Sequence, residues 1–291
     1  MSNPNHYRDN TDTWDLEIKP QASLLDLNLK DVWRYRDLMM LFVRRDFVAQ
    51  YKQTIMGPLW HIIQPVLTTI MFLLVFNKIA EIPTDGIEPI LFYMSGIAIW
   101  NYFSTCLTAT SNTFISNAHI FGKVYFPRLV LPLSIVISNI IKFGIQFGIL
   151  LIAMLWFALF RDVPIVFSIN WLLIPLLLVI MAGIGLGLGI IISSLTTKYR
   201  DLSVLIGFAV QLLMYATPVI YPLSYLTKGS FAEIIHWNPL SPIVESFRFA
   251  LFGKGSFQWE WLAYSFLFML VAIIIGSVFF NKVEKSFMDT V

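Results

Sequence analysis

Six apolar stretches, each near the length needed to cross a bilayer, constrain this chain more than any other feature. They run over residues 58–76, 90–110, 129–160, 169–195, 202–221 and 259–280. A helix needs about 20 mostly apolar residues to cover a hydrocarbon core. Inside that core only helices and closed barrels satisfy their own backbone groups. Composition agrees: 57% of the residues are hydrophobic and 13% charged, against about 25% charged in soluble domains. The expected fold is an all-α polytopic membrane protein with six transmembrane helices. The third and fourth stretches are long enough to tilt or project beyond the bilayer.

An even number of spans puts both termini on one side. Residues 1–57 lack the apolar core of a secretory signal, so membrane entry is expected at an internal span with the N-terminus in the cytoplasm. Positive charge supports that orientation. Lys30, Arg34, Arg36, Arg44, Arg45, Lys52, Lys123, Arg128, Lys198, Arg200, Lys282 and Lys285 fall on one side. Lys78, Arg161, Lys228, Arg248 and Lys254 fall on the other, where the first loop is acidic through Glu81, Asp85 and Glu88. The richer side is cytoplasmic by the positive-inside rule.

The chain divides into a polar tail (1–26), an amphipathic helix region (27–57) and a six-span unit (58–291). In the second part Met40, Val43, Phe47 and Tyr51 share one helical face, and Arg34, Asp37, Arg44, Arg45 and Lys52 gather on another. Such a helix suits the cytoplasmic surface of a bilayer. Between the fifth and sixth spans, residues 222–258 hold two apolar pieces, 231–237 and 243–252, too short to cross. They read as two short re-entrant helices on the outer side or as a folded surface hairpin.

Several chemistries are disfavoured. Cys106 is the only cysteine, which precludes an intrachain disulfide, and His6, His61, His119 and His236 show no ligand spacing. Neither a phosphate-binding Gly-x-x-x-x-Gly-Lys-Ser/Thr nor a Gly-x-Ser-x-Gly elbow occurs. Carboxylates are sparse and scattered, contrary to what a convergent catalytic site requires. The chain reads as a non-enzyme that draws energy from a partner. No cofactor is expected in it, and no nucleic acid.

Inside the spans the polar signals are few. Ser134, Ser138, Lys142 and Gln146 recur every four residues along one stripe, with Lys142 deep in the third span. An intramembrane cation either faces a substrate path or snorkels between packed helices. Gly183, Gly185, Gly187 and Gly189, and the pair Gly144 and Gly148, have the spacing of close helix packing. Trp60, Trp100, Tyr102, Tyr221, Tyr225, Trp237, Trp259 and Trp261 lie near span ends, where an interfacial belt and a sugar-stacking track use the same residue types.

Four stretches, in order, carry a resemblance. They are residues 44–65, from Arg44-Arg45-Asp46 through Gly57-Pro58-Leu59-Trp60 to Gln64-Pro65; residues 123–132, Lys-Val-Tyr-Phe-Pro-Arg-Leu-Val-Leu-Pro; residues 198–222, with Lys198-Tyr199-Arg200-Asp201 and Ala216-Thr217-Pro218; and residues 238–248, from Asn238-Pro239 to Arg248. Together they resemble the permease subunits of ABC-2 type polysaccharide exporters, which serve O-antigen, teichoic-acid and capsule export. Met56 departs from the leucine usual before this glycine.

The resemblance implies roles. Arg44, Arg45, Tyr51 and Lys52 match the family's interface or gate helix. Phe121, Lys123, Phe126 and Arg128 match the segment that couples to the ATPase, with Lys198, Arg200 and Asp201 in a second inner turn. Trp60, Tyr215 and Tyr221 become candidate channel-lining groups, as does Lys142 from the stripe above. Asn238, Pro239, Glu245 and Arg248 match the outer re-entrant pair. The implied partners are a second copy of the chain, two copies of an ABC ATPase that binds ATP and magnesium, a lipid-linked glycan and membrane lipid. The implied location is the bacterial inner membrane. O-antigen is the leading cargo; teichoic acid, capsule, or a small lipid or drug are the alternatives.

Overall fold

A computed structural model describes residues 29–52, 56–121, 126–164, 168–199, 201–226 and 230–287. The tail expected over 1–26 and the site candidates Lys123 and Arg200 lie outside those residues. Among the described residues every regular element is helical.

Eleven helices follow in order: α1 (Leu29–Arg34), α2 (Arg36–Tyr51), α3 (Trp60–Phe72), α4 (Pro89–Ser111), α5 (Thr113–Phe121), α6 (Val130–Arg161), α7 (Leu173–Thr196), α8 (Leu202–Tyr215), α9 (Ser230–Trp237), α10 (Ser241–Phe252) and α11 (Trp259–Phe287). A π-helical segment, Leu73–Ile79, extends α3. Five helical runs are long and apolar enough to cross a membrane: Trp60–Ile79, Pro89–Ser111, Val130–Arg161, Ile169–Thr196 and Trp259–Lys282.

The stretch read as a fifth span ends early. α8 has 14 residues and stops at Tyr215, about 21 Å at 1.5 Å per residue. Pro218 explains the stop, since its ring excludes the helical conformation at Thr217 and it has no N–H to donate. The carbonyl of Ala216 is recovered by the Asn238 amide, which donates to it at 2.7 Å and to Thr217 Oγ1 at 2.9 Å. A leftover helix-end acceptor is thus satisfied from another element.

The amphipathic region also differs in detail. It breaks at Tyr35 (φ −91°, ψ 20°) into α1 and α2. The inward face carries Val32 and Phe42, with Tyr35, Leu38 and Met39 beside them, and Val43 is buried too. Met40, expected on the apolar face, is 56% exposed. Val43 faces inward as expected, so the face is rotated by about a quarter turn, and the noisy pattern accounts for it, since Leu41 and Val48 are exposed as well.

α4 and α7 form the centre of the bundle, with α6 packed on α4 and α11 on α7. The α7 glycines permit these approaches. A Cβ at Gly187 would stand 2.7 Å from the Ala272 backbone of α11, and one at Gly189 would stand 2.6 Å from Thr110 of α4. Gly144 and Gly148, by contrast, meet no neighbour within 4 Å. α2 lies along α6, while α3 and α8 flank the centre and stay largely exposed. α10 is almost fully buried at the opposite end of the bundle from α2, against α4, α7 and α11.

Candidate functional site

Three polar constellations stand out. The first is a partly open cleft of about 300 Å³ between α3, α4 and α6. Its wall takes His61 and Gln64 from α3, Asn101 and Thr105 from α4, and Asn139, Lys142 and Gln146 from α6. Each pair or triplet is three or four residues apart, so each helix turns one polar strip inward from an otherwise apolar surface. Asn101 donates to Gln146 Oε1 at 3.2 Å, tying α4 to α6. Asn139 Nδ2 donates to the buried Cys106 sulfur at 3.8 Å.

Lys142 lies twelve residues beyond Val130 in α6, roughly 18 Å along the axis. His61 belongs to the first turn of α3. The cleft therefore runs from the α2 end of the bundle, at His61, to its middle, where Asn101 and Gln146 sit about halfway along α4 and α6. Among the described residues Lys142 makes no hydrogen bond or salt bridge. Asp46 on α2 acts on it at longer range, but that carboxylate is held by Arg45 at 2.7 Å. The expected stripe divides here. Ser134 and Ser138 are buried, and the Ser134 hydroxyl donates to Leu131 O, whereas Lys142 and Gln146 face the cleft.

The second constellation is at the α10 end. Arg248, read from sequence as an outer-loop charge, is 1% exposed. Its guanidinium donates to the carbonyls of Pro218 (2.6 Å) and Val219 (2.7 Å) and to Glu245 (3.2 Å), and lies 3.6 Å over the Phe92 ring. Glu245 also accepts from the Leu223 backbone N–H at 3.3 Å. Burial pushes the Glu245 carboxyl above its usual range, and the charge of Arg248 opposes that shift. Pro239 O accepts from Ser265 at 2.7 Å. Asn238, Pro239, Glu245 and Arg248 thus fasten α10 to the turn after α8, to α4 and to α11. They build a structural clamp.

The third is an aromatic cluster at the α2 end. Phe42 of α2 packs on Phe126, Phe126 stacks on Phe121, Phe121 meets Phe114, and Phe114 stacks on Phe280 of α11 with ring centroids 4.6 Å apart. The buried Arg128 lies over Phe121 at 5.3 Å. Arg45 reaches Asn117 of α5 at 3.5 Å, where α5 bends. Arg44 and Lys52 are exposed, and Lys198 and Asp201 are exposed in the turn between α7 and α8. Tyr51 ends α2, and its side chain lies outside the described residues.

Of the aromatic candidates, Trp60 is 53% exposed and Tyr215 45% exposed, on the two loosely packed helices α3 and α8. Tyr221 donates to Tyr215 O at 2.7 Å. Trp60, Tyr215 and Tyr221 do not join the Lys142 cleft.

Residues 37–252 match the membrane domain of the ABC-2 type transporter family. The chain belongs to that family. Among curated proteins it is similar to the O-antigen export system permease protein RfbA of Klebsiella pneumoniae, at 29% identity over 87% of this chain and 94% of the relative. It is similar to a protein of the same name from Myxococcus xanthus, at 26% identity over 76% and 82%. The polysialic acid transport protein KpsM of Escherichia coli is 22% identical over 84% and 93%. The family match spans α2 through α10, so it holds the cleft entirely and the other two constellations apart from Ser265 and Phe280 of α11.

Sequence reasoning found Lys142 and Gln146 but missed His61, Gln64, Asn101, Thr105 and Asn139. The available signal was a polar pair at helical spacing inside each span: Asn101 with Thr105, and His61 with Gln64.

Proposed function

We propose that this chain is the permease subunit of an ATP-driven exporter that carries a lipid-linked polysaccharide out of the cytoplasm, with O-antigen as cargo. The similarity to O-antigen permeases along most of both chains carries this reading. The fold is compatible with it: a tight α4–α7–α11 centre, and two exposed flanking helices, α3 and α8, available to a second copy.

The finer parts of the reading follow. α8 and the turn after it form the sixth crossing, and α9 and α10 dip in from the outer face. The α2 end is cytoplasmic. Two copies enclose a passage, with Trp60, Tyr215 and Tyr221 along it. A hydrophilic polymer requires such a passage, because each unpaired polar group in hydrocarbon costs several kcal/mol. Two ATPase subunits dock at Phe121–Phe126 and Lys198–Asp201, and Arg44, Arg45 and Lys52 meet the substrate's diphosphate near the entrance. The chain from Phe42 through Phe126 and Phe114 to Phe280 gives a contiguous route from that surface into α11. The likeness to a polysialic acid transport protein supports capsule polymer as the second reading.

Surface labelling of glycan in a host deleted for this chain tests the proposal. Loss of surface polymer with intracellular accumulation, restored by the intact chain, is expected. Unchanged surface glycan contradicts it.

A further inference from the structure

Another pocket, apart from the α3–α4–α6 cleft, lies at the α10 end, among α9, α10 and the first turn of α11. It holds about 80 Å³ of free volume and is partly open. A water takes about 30 Å³ in the liquid, and an engineered cavity that binds benzene measures about 150 Å³. The space suits a small substituent of a larger molecule, and neither a whole sugar ring nor a lipid chain.

Charge at the pocket wall is already balanced. Glu245 pairs with Arg248 at 3.2 Å and accepts from the Leu223 N–H at 3.3 Å. An ionic ligand finds no uncompensated partner there, so the pocket favours a neutral group. Ser246 lines the pocket and is 1% exposed, yet its hydroxyl makes no hydrogen bond among the described residues. A buried hydroxyl left unpaired costs free energy that a ligand's carbonyl can recover. Leu223, Pro242 and Trp261 supply apolar wall in the same pocket. An unused donor and an apolar wall, in a space this small, fit a carbonyl joined to a methyl.

The mouth is aromatic. Trp261 has the His236 ring at 6.2 Å and the Trp237 ring at 5.9 Å, centroid to centroid, and Trp237 is 65% exposed. Exposed aromatic faces pack against the C–H face of a pyranose.

We propose that this pocket holds the acetamido group of an N-acetylated sugar. The carbonyl accepts from Ser246, the methyl lies against Pro242 and Trp261, and the ring rests on the aromatic mouth. That the sugar is a unit of the exported glycan rests on the export reading; the pocket's chemistry does not. The site is separate from α3 and α8, which carry Trp60 and Tyr215.

The test titrates the full chain, in phosphatidylcholine nanodiscs, with methyl N-acetyl-β-glucosaminide and follows saturation transfer by NMR. Saturable binding is expected, with the acetyl methyl receiving the strongest transfer. Methyl β-glucoside, which lacks the carbonyl and the methyl, should bind about tenfold more weakly or worse. Ser246→Ala should weaken binding about fivefold, the worth of one neutral hydrogen bond, and leave the unfolding midpoint unchanged because the hydroxyl bonds nothing in the free protein. Should Ser246→Ala fail to fold, Trp261→Leu replaces it, with a weakening of about fivefold or more expected. Equal binding of the two glycosides, transfer spread evenly around the ring, or unchanged binding in the variant overturns the proposal. Glycan export in a host deleted for the chain separates the two readings. Selective binding by a chain that exports no glycan keeps the pocket and removes the export role. Equal binding of both glycosides by a chain that does export glycan removes the pocket and keeps the export role.

Discussion

Asn101 on α4 donates its amide to Gln146 on α6 at 3.2 Å, joining two helices of the bundle at the wall of the cleft that holds Lys142. Interhelical amide bonds in membranes are worth about 0.6 to 2 kcal/mol. Asn101→Leu and Gln146→Leu are each expected to destabilise the protein by about 1 kcal/mol. The double variant should cost less than the sum, because neither leaves an unpaired amide behind. Thermal unfolding of the four proteins in detergent, analysed as a cycle, measures the coupling.

The Arg248 clamp predicts a larger effect. Arg248→Met leaves Glu245 buried without its charge partner and frees the carbonyls of Pro218 and Val219. Breaking one side of a buried pair costs about 3–5 kcal/mol. Replacing both residues together, Arg248→Met with Glu245→Leu, is expected to recover part of that loss. Folded yield and unfolding temperature report both results.

Two glycine classes are expected to part company. Gly187→Ala places a Cβ 2.7 Å from the Ala272 backbone, an overpacking that costs about 1–3 kcal/mol. Gly207→Ala meets nothing within 4 Å and should leave stability unchanged or raise it slightly through better helix propensity. Unfolding midpoints of the two variants check this directly.

Phe42 holds α2 to the body of the protein by packing on Phe126. Truncating a buried Phe to Ala typically costs about 3–5 kcal/mol. Phe42→Ala should therefore loosen α2 before the bundle. Faster amide exchange confined to residues 36–51, with α4 and α7 unchanged, is the expected signature.

The sequence disclosed what depends on run length and on contacts close in the chain. Five of the six apolar stretches are helices long enough to cross a membrane, and the two short pieces after residue 222 are the helices α9 and α10. The spacing of Gly183, Gly185, Gly187 and Gly189 foretold close packing correctly. Features that arise from distant convergence stayed hidden. Arg248 looked like a loop charge because its carbonyl partners, Pro218 and Val219, are 30 and 29 residues away. Asn101 and Gln146 are 45 residues apart, and only the fold makes them one wall. The early end of α8 was legible in Pro218, whose effect on the preceding residue is local.

The most direct test of the export role is ATP-dependent translocation in proteoliposomes that contain the intact chain and an ABC ATPase expected to copurify with it. A lipid-linked glycan supplied on the outer face of inside-out vesicles should enter the lumen only when ATP is hydrolysed. Little entry is expected when the permease is omitted. Glycan entry that is equal without this chain, or a chain that copurifies with no ATPase, contradicts the account.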